Sequence, residues 1–490
     1  MKSKKISNRW LYIPILILGI NFIIRIINQS KIIKQFPLDT VNDVSAYIAE
    51  LHFLNICGFH NFCGYWYNGF TNFQLSTPGW HFFTYPIYLV FNDYLKAIYI
   101  SIILIFLLSF IVIYIFGKIN KINKEKRILF FFLLFANAAA IGNYIRLGRL
   151  PEFFSFFLFT LFAFIILYYK DRKLDWKFFS LIPIYSLIIF THPTFAVISS
   201  FLWISILLVK NWESRVIIGA TILTSLISIS FWLIPYITNF YNSGGTSKPI
   251  GENLLTFGGS FLLENIASII IPIIFLFIFL IYIKKKKYDK KEILFYSPII
   301  VIALLLLSRL SAFIPILKYI YADVYMGFLI FFTLFIFFKS FKINKKVLIG
   351  ITILVILSVS INFSHTPWFT EHTQLEKDTL EIMKDIDTSF LMTNSYSKTS
   401  YSKAYYSYAP IYFNITTPSG WAKVASFDYY NKLRRFSNSV RNKNCNNLIE
   451  SAKILKNDYI ISYNGDCDFL KTCNLKKINQ INNICLYKFN

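Results

Sequence analysis

The chain has 490 residues, of which 56% are hydrophobic and 15% charged, and 50 Lys and Arg against 25 Asp and Glu leave a net charge of +25. Surface-to-volume scaling already forces polar residues outward in a soluble fold, so this much apolar sequence excludes one; the solvent for most of the chain is lipid. A charge of +25 on a soluble protein would point to nucleic acid, and the position of the basic residues decides whether it does here.

Apolar runs of about 17–25 residues, each long enough at about 1.5 Å per residue to cross a hydrocarbon layer of about 30 Å, predict roughly eleven transmembrane helices. They lie near 10–28, 95–117, 128–147, 151–169, 178–192, 193–209, 216–238, 263–283, 293–307, 326–338 and 347–363. Six short segments, Met1–Arg9, Lys118–Arg127, Lys170–Lys177, Lys210–Arg215, Lys284–Glu292 and Lys339–Lys346, hold half of the 50 Lys and Arg but only six of the 25 acidic residues. They fall at every second gap between helices. This is the positive-inside pattern: the N-terminus is cytoplasmic, the alternate loops and the C-terminal region are external, and a nucleic-acid face is excluded. No small-residue cleavage site follows the first helix, which therefore reads as a retained span. The expected fold is mainly α, a polytopic helical bundle over residues 1–363, followed by a small extracytoplasmic α/β domain over 364–490.

The first external loop, Gln29–Asp93, exceeds the usual loop length and is the first place to look for function. Within it Asn42–Asn55 reads as an amphipathic helix on the membrane surface, with Val44, Ile48 and Leu51 on one face and Asp43, Tyr47 and Glu50 on the other, turned toward an aqueous cavity. The aromatic, Gly- and Pro-rich stretches Cys63–Phe70 and Ser76–Phe82 suit interfacial turns. Thr238–Leu262, with the flexible stretch Ser243–Pro249, and Ser308–Tyr325 are long enough to act as lids. Beyond Ser364 the pattern predicts helices at Glu376–Ile386, Phe427–Val440 and Cys445–Leu455, and strands at Phe390–Thr393, Ile411–Asn414, Tyr459–Tyr463 and Ile484–Phe489. All six cysteines fall in external segments, which fits disulfides: Cys57–Cys63 and two bridges among Cys445, Cys467, Cys473 and Cys485.

Ionisable side chains near the external helix ends form the candidate site. They are Asp39 and Asp43 in the first loop, Arg146, Arg149 and Glu152 between the third and fourth spans, His192 after the fifth, and Arg309, Lys318 and Asp323 before the tenth. Arg and Lys pair with phosphate oxygens while a carboxylate takes a proton, so the set suits phosphate chemistry. Plain structural roles compete with this. Asp39 and Asp43 suit a helix N-terminus, Leu150-Pro-Glu152 is ordinary helix initiation, Arg146 and Arg149 suit interfacial anchoring, and His192-Pro193 a helix break.

The order of first span, long acidic external loop, second acidic loop, further spans and external C-terminal domain resembles the GT-C superfamily of membrane glycosyltransferases. Asp43–Leu51, the stretch through Gly58, Gly64, Trp66 and Pro78, and Gly148–Glu152 resemble prokaryotic, often archaeal, membrane proteins described as related to 6-pyruvoyl-tetrahydropterin synthase. The resemblance implies transfer of a sugar from a polyprenyl-phosphate carrier to a glycan, lipid or protein acceptor on the extracytoplasmic side of the cell membrane. It implies Asp43 as base with Asp39 as competitor and Glu152 as the second acidic position. Arg146, Arg149 and Arg309, with His192, Lys318 and Tyr47, would hold phosphate or substrate. The metal requirement stays open. The position four residues after Asp43, often His in such proteins, is Tyr47 here, and the Trp-Trp-Asp-Tyr-Gly signature of oligosaccharyltransferases is missing. A transporter or lipid flippase, or a noncatalytic assembly factor on the same fold, are the alternatives; charge concentrated at one interface and the lack of related halves count against transport.

Overall fold

The computed structural model describes residues 8–39, 43–240, 250–256, 262–393, 402–421 and 424–489. The expected flexible stretch Ser243–Pro249 lies outside them. From the N-terminus the helices are α1 (Tyr12–Gln29), α2 (Val44–Ile56), α3 (Gly79–Phe91), α4 (Tyr94–Ile119), α5 (Lys124–Phe135), α6 (Ala138–Arg146) and α7 (Leu150–Tyr169). They continue with α8 (Leu181–Thr191), α9 (Pro193–Val209), α10 (Trp212–Ser228), α11 (Ser230–Phe240), α12 (Leu262–Lys285), α13 (Lys290–Leu307), α14 (Ala322–Ser340) and α15 (Lys345–His365).

Each of the eleven apolar segments is helical, and the chain is a multi-pass membrane protein. Six helices (α1 with its flanking turns, α4, α7, α12, α14 and α15) are long and apolar enough to cross a membrane, and up to eight spans result when two bent pairs each count as one. Of the other three segments, α8 and α9 are shorter apolar helices, and α13 opens on Lys290, Lys291 and Glu292. In α7 94% of the apolar window is buried, against 22–39% in α1, α4, α12 and α15, which puts α7 at the centre and those four at the lipid-facing periphery. It packs through phenylalanines against α4, α8 and α9.

The breaks have local causes. The chain bends by 49° between α5 and α6 at Asn137, whose Oδ1 accepts from Ala140 N–H (3.0 Å) while its Nδ2 donates to Leu133 O (3.0 Å). Ile141–Arg146 then winds as π-helix, a wider turn that ends at Arg146. Pro193, which lacks an N–H, separates α8 from α9. Basic loops meet at one end of the bundle: Lys170 pairs with Glu292 (2.6 Å), Lys291 with Asp171 (3.0 Å), and Lys126 donates to Phe341 O (2.8 Å).

The C-terminal region adds α16 (Gln374–Ile382), α17 (Ser402–Tyr412), α18 (Phe427–Arg441), α19 (Cys445–Ile454) and α20 (Gly465–Thr472). After the two-residue hairpin strands β1 (Phe62–Cys63) and β2 (Phe70–Thr71) of the first loop, its strands are β3 (Phe390–Met392), β4 (Tyr459–Tyr463), β5 (Lys476–Ile481) and β6 (Ile484–Lys488). The sheet runs β3-β4-β6-β5, with β3 parallel to β4 (Phe390 opposite Tyr459) and the other pairs antiparallel (Ile461 opposite Leu486). Disulfides join Cys57 to Cys63, Cys445 to Cys473 and Cys467 to Cys485.

Two sequence expectations are corrected. Ile411–Asn414 is not a strand; it is the end of α17 and the turn after it, whose Ala404 and Tyr405 are buried in a helix packed on α2. The helix α2 does not lie on a surface: Ala49 and Phe53 are buried as fully as Val44, Ile48 and Leu51, because α17 covers its outer side. Residues of the first loop tie it to α17 and to the segments that follow. Trp66 Nε1 donates to Tyr406 O (2.8 Å), Tyr67 Oη to Gly420 O (3.0 Å) and Asn68 Nδ2 to Leu455 O (2.7 Å).

Candidate active site

Asp43 stands immediately before α2. Its N–H donates to Leu147 O (3.0 Å), which ties the start of α2 to the turn after the π-helix. Its carboxylate makes no capping bond to the helix and instead lines a cavity of about 380 Å³. The same wall carries Tyr47 and Glu50; the opposite walls come from Ser76 and Thr77, His192, Tyr236 and, from the C-terminal region, Trp421. Burial raises the Asp43 carboxyl above the ordinary range, and the nearby charges of Arg149 and Lys403 pull it back down.

Asp39 is engaged differently: Arg146 Nη2 donates to its Oδ2 at 2.6 Å, with the Arg146 side chain only 5% exposed. Arg149, at the N-cap of α7, donates to Asp323 Oδ2 (2.7 Å) and lies 3.7 Å from Glu152 Oε2, with its guanidinium over the Tyr321 ring. Asn143 Nδ2 donates to the same Asp323 oxygen (2.6 Å). Pro151 lines the cavity, so the first turn of α7 joins this ion cluster to the Asp43 wall. His192 lines it too, its Nδ1 within 2.6 Å of Thr194 Oγ1.

Asp43, Tyr47 and His192 thus share one cavity, Arg149 and Glu152 flank it, and Asp39 with Arg146 forms a brace behind. Arg309 and Lys318 do not line it. Arg309, in a left-handed backbone conformation (φ 64°), donates to Ser268 Oγ (2.7 Å) and Asn265 O (3.0 Å), and Lys318 lies over the Tyr319 ring. The sequence reading missed a buried pair, His81 Nε2 with Glu50 Oε2 at 3.2 Å, and the contributions of Lys403 and Trp421. Glu50 was legible on the acidic face of α2, but its partner 31 positions along the chain was not.

A second cavity, about 370 Å³ and mostly apolar, runs between α6, α12, α14 and α15 past Ala267, Ile271, Gly327 and Leu354 and ends at Asn143 and Asp323. Among the described residues no group of three or more His, Cys, Asp or Glu side chains is disposed to hold a metal ion; Asp323 and Glu152 converge on Arg149 instead. The arrangement supplies a desolvated carboxylate beside a chamber that opens to polar solutes, joined through one arginine to an apolar groove.

Neither a protein family model nor a curated protein matches the chain. Solved structures do. The archaeal oligosaccharyltransferase AglB from Archaeoglobus fulgidus, in complex with an inhibitory peptide and a dolichol-phosphate, matches with a TM-score of 0.56 at 11% identity over 91% of this chain and 69% of that one. The apo form of the Archaeoglobus fulgidus oligosaccharyltransferase matches with a TM-score of 0.58 at 12% identity over 95% and 71%. Arabinofuranosyltransferase AftD from Mycobacteria matches with a TM-score of 0.59 at 10% identity over the whole of this chain but only 40% of its own length. At such identity the likeness is one of fold, that of GT-C membrane glycosyltransferases.

Proposed function

We propose that the chain is a GT-C membrane glycosyltransferase that moves a sugar from a polyprenyl-phosphate donor to an acceptor on the extracytoplasmic side. The observation that carries the reading is the Asp43 carboxylate, uncommitted to helix capping and facing a cavity at the junction of bundle and C-terminal region. In this reading eleven helices cross the membrane, with the basic loops and N-terminus cytoplasmic, residues 1–363 forming the membrane domain and 364–490 the external domain.

The apolar groove takes the polyprenyl tail, a role supported by the dolichol-phosphate bound to AglB on the same fold. Its polar end at Asn143 and Asp323 adjoins Arg149, and Arg309 bonds to Asn265 and Ser268 on either side of groove-lining Ala267, which supports these two arginines as partners of the phosphate. Arg146, tied to Asp39, acts as a brace. Asp43 accepts the proton of the acceptor hydroxyl as the acceptor oxygen bonds to the anomeric carbon. The bond from that carbon to the phosphate oxygen breaks, and polyprenyl phosphate leaves. Asp39 is the weaker base candidate because Arg146 already occupies its carboxylate.

Mass spectrometry of surface glycans from cells with and without the gene tests the reading. A missing or truncated sugar in the deletion supports it and identifies the donor class; identical glycans overturn it.

A further inference from the structure

Among the described residues, the walls of the Asp43 cavity carry two carboxylates, Asp43 and Glu50, and neither Lys nor Arg. Both carboxylates come from α2 and its N-cap; the charges of Arg149 and Lys403 act at the Asp43 end, so the Glu50 end disfavours an anion and suits an uncharged polar group. Its volume, about 380 Å³, is room for on the order of a dozen waters at about 30 Å³ each, enough for a polyhydroxyl ring with solvent around it.

Glu50 is the unexplained member. Its side chain is 6% exposed and His81 is fully buried, so the two share desolvation, and His81 comes from α3, fixing the carboxylate against a second helix. Packing against Phe73, Trp80 and Tyr47 holds the imidazole in place. Seven residues separate Glu50 from Asp43, and a helical rise of about 1.5 Å per residue puts them roughly 10 Å apart along α2. Glu50 therefore stands about two helical turns from Asp43 along the α2 wall. It is in reach of the far hydroxyls of a ring bound there. Ser76 and Thr77 offer hydroxyls on the facing wall, and Tyr236 and Trp421 add aromatic faces. A carboxylate held by a buried partner, two hydroxyls and two aromatic rings around a ring-sized chamber are the features that bind a sugar.

We propose that Glu50, oriented by His81, forms with Tyr236 and Trp421 a subsite for the ring of an uncharged sugar, and that Glu50 excludes uronic acids from it. The subsite rests on the transferase reading for its role but not for its binding. The test uses purified full-length protein in nanodiscs and saturation-transfer NMR with methyl glycosides of neutral hexoses and with methyl glucuronide. Neutral glycosides bind and the glucuronide does not; Glu50→Gln weakens the neutral sugars about tenfold and narrows the discrimination against the glucuronide, a change of ratio that misfolding cannot mimic. Trp421→Ala weakens all sugars. Displacement of the methyl glycoside by a citronellyl phospho-sugar assigns the ring to the donor, and simultaneous binding assigns it to the acceptor. No sugar binding by the wild type, or equal binding by Glu50→Gln with unchanged discrimination, overturns the subsite. If Asp43→Asn also strips a sugar from cell glycans, the transferase reading survives that failure. Glu50-dependent sugar binding with unaltered glycans in a deletion strain supports the subsite and refutes the transferase reading instead.

Discussion

Replacing Arg149 by Met is the sharpest test of how the carboxylates beside the cavity are held. At 2.7 Å from Asp323 and 3.7 Å from Glu152, with an effective dielectric of about 20, the guanidinium attracts them by about 6 and about 4.5 kcal/mol before desolvation. Removing ions from water offsets most of that, so the measurable quantity is the cost of two carboxylates left without their cation. Breaking a buried pair costs about 3–5 kcal/mol, and because the Arg149 side chain is 25% exposed the low end, about 3 kcal/mol, is expected. The cycle Arg149→Met, Asp323→Asn and the double variant separates charge from packing. Asp323→Asn alone leaves Arg149 with Glu152 and costs less, and the double variant recovers at least about 1 kcal/mol relative to Arg149→Met. Unfolding in mixed micelles titrated with SDS, followed by tryptophan fluorescence, reads these differences. A single variant within about 0.5 kcal/mol of wild type, or strictly additive effects, refutes charge compensation by Arg149.

Three further outcomes follow from the geometry. A base at Asp43 works ionised, so turnover falls as pH drops through its raised carboxyl value; Lys403→Ala removes a charge that favours the ionised form and moves this acidic limb to higher pH, and an unmoved limb contradicts the contact. A methyl group on Gly79 would lie 2.2 Å from Thr191 Oγ1 and 3.0 Å from Thr191 Cα, so Gly79→Ala forces α3 from the end of α8 beside His192, costing about 1–3 kcal/mol; an unchanged melting temperature contradicts that packing. In the chain-entropy description, removing Cys445–Cys473, which closes 28 residues, costs about 3.6 kcal/mol, and removing Cys57–Cys63, which closes 6, about 2.2 kcal/mol; limited proteolysis that ranks them in the opposite order contradicts it.

Much of this was legible in the chain. Helix positions followed from apolar run length, and the cysteines, confined to two segments outside the apolar runs, pair as disulfides, which is consistent with an extracytoplasmic location. The bend at Asn137 and the π-turn after it were not, since a polar residue inside an apolar run reads as tolerated until its side chain is seen filling the broken ladder. The polar edge strand β5, with Lys476, Lys477, Asn479 and Gln480, carries no apolar alternation to announce it; its pairing with β6 supplies the order. At the candidate site, Asp43, Glu152 and His192 were singled out from their place at helix ends. Their partners were not, because Asp323, Lys403 and His81 reach them only through tertiary packing. The arginines were assigned to phosphate by residue type, and the sequence did not show the carboxylates that Arg146 and Arg149 also meet, Asp39 and Asp323.

The most direct test of the transferase reading is complementation of a deletion strain with Asp43→Asn, compared with wild type and Asp39→Asn, with surface glycans read by mass spectrometry at matched membrane levels. The expected result is that wild type restores the missing sugar and Asp43→Asn does not, while Asp39→Asn restores it in part because that side chain only braces Arg146. Full restoration by Asp43→Asn contradicts its role as the base.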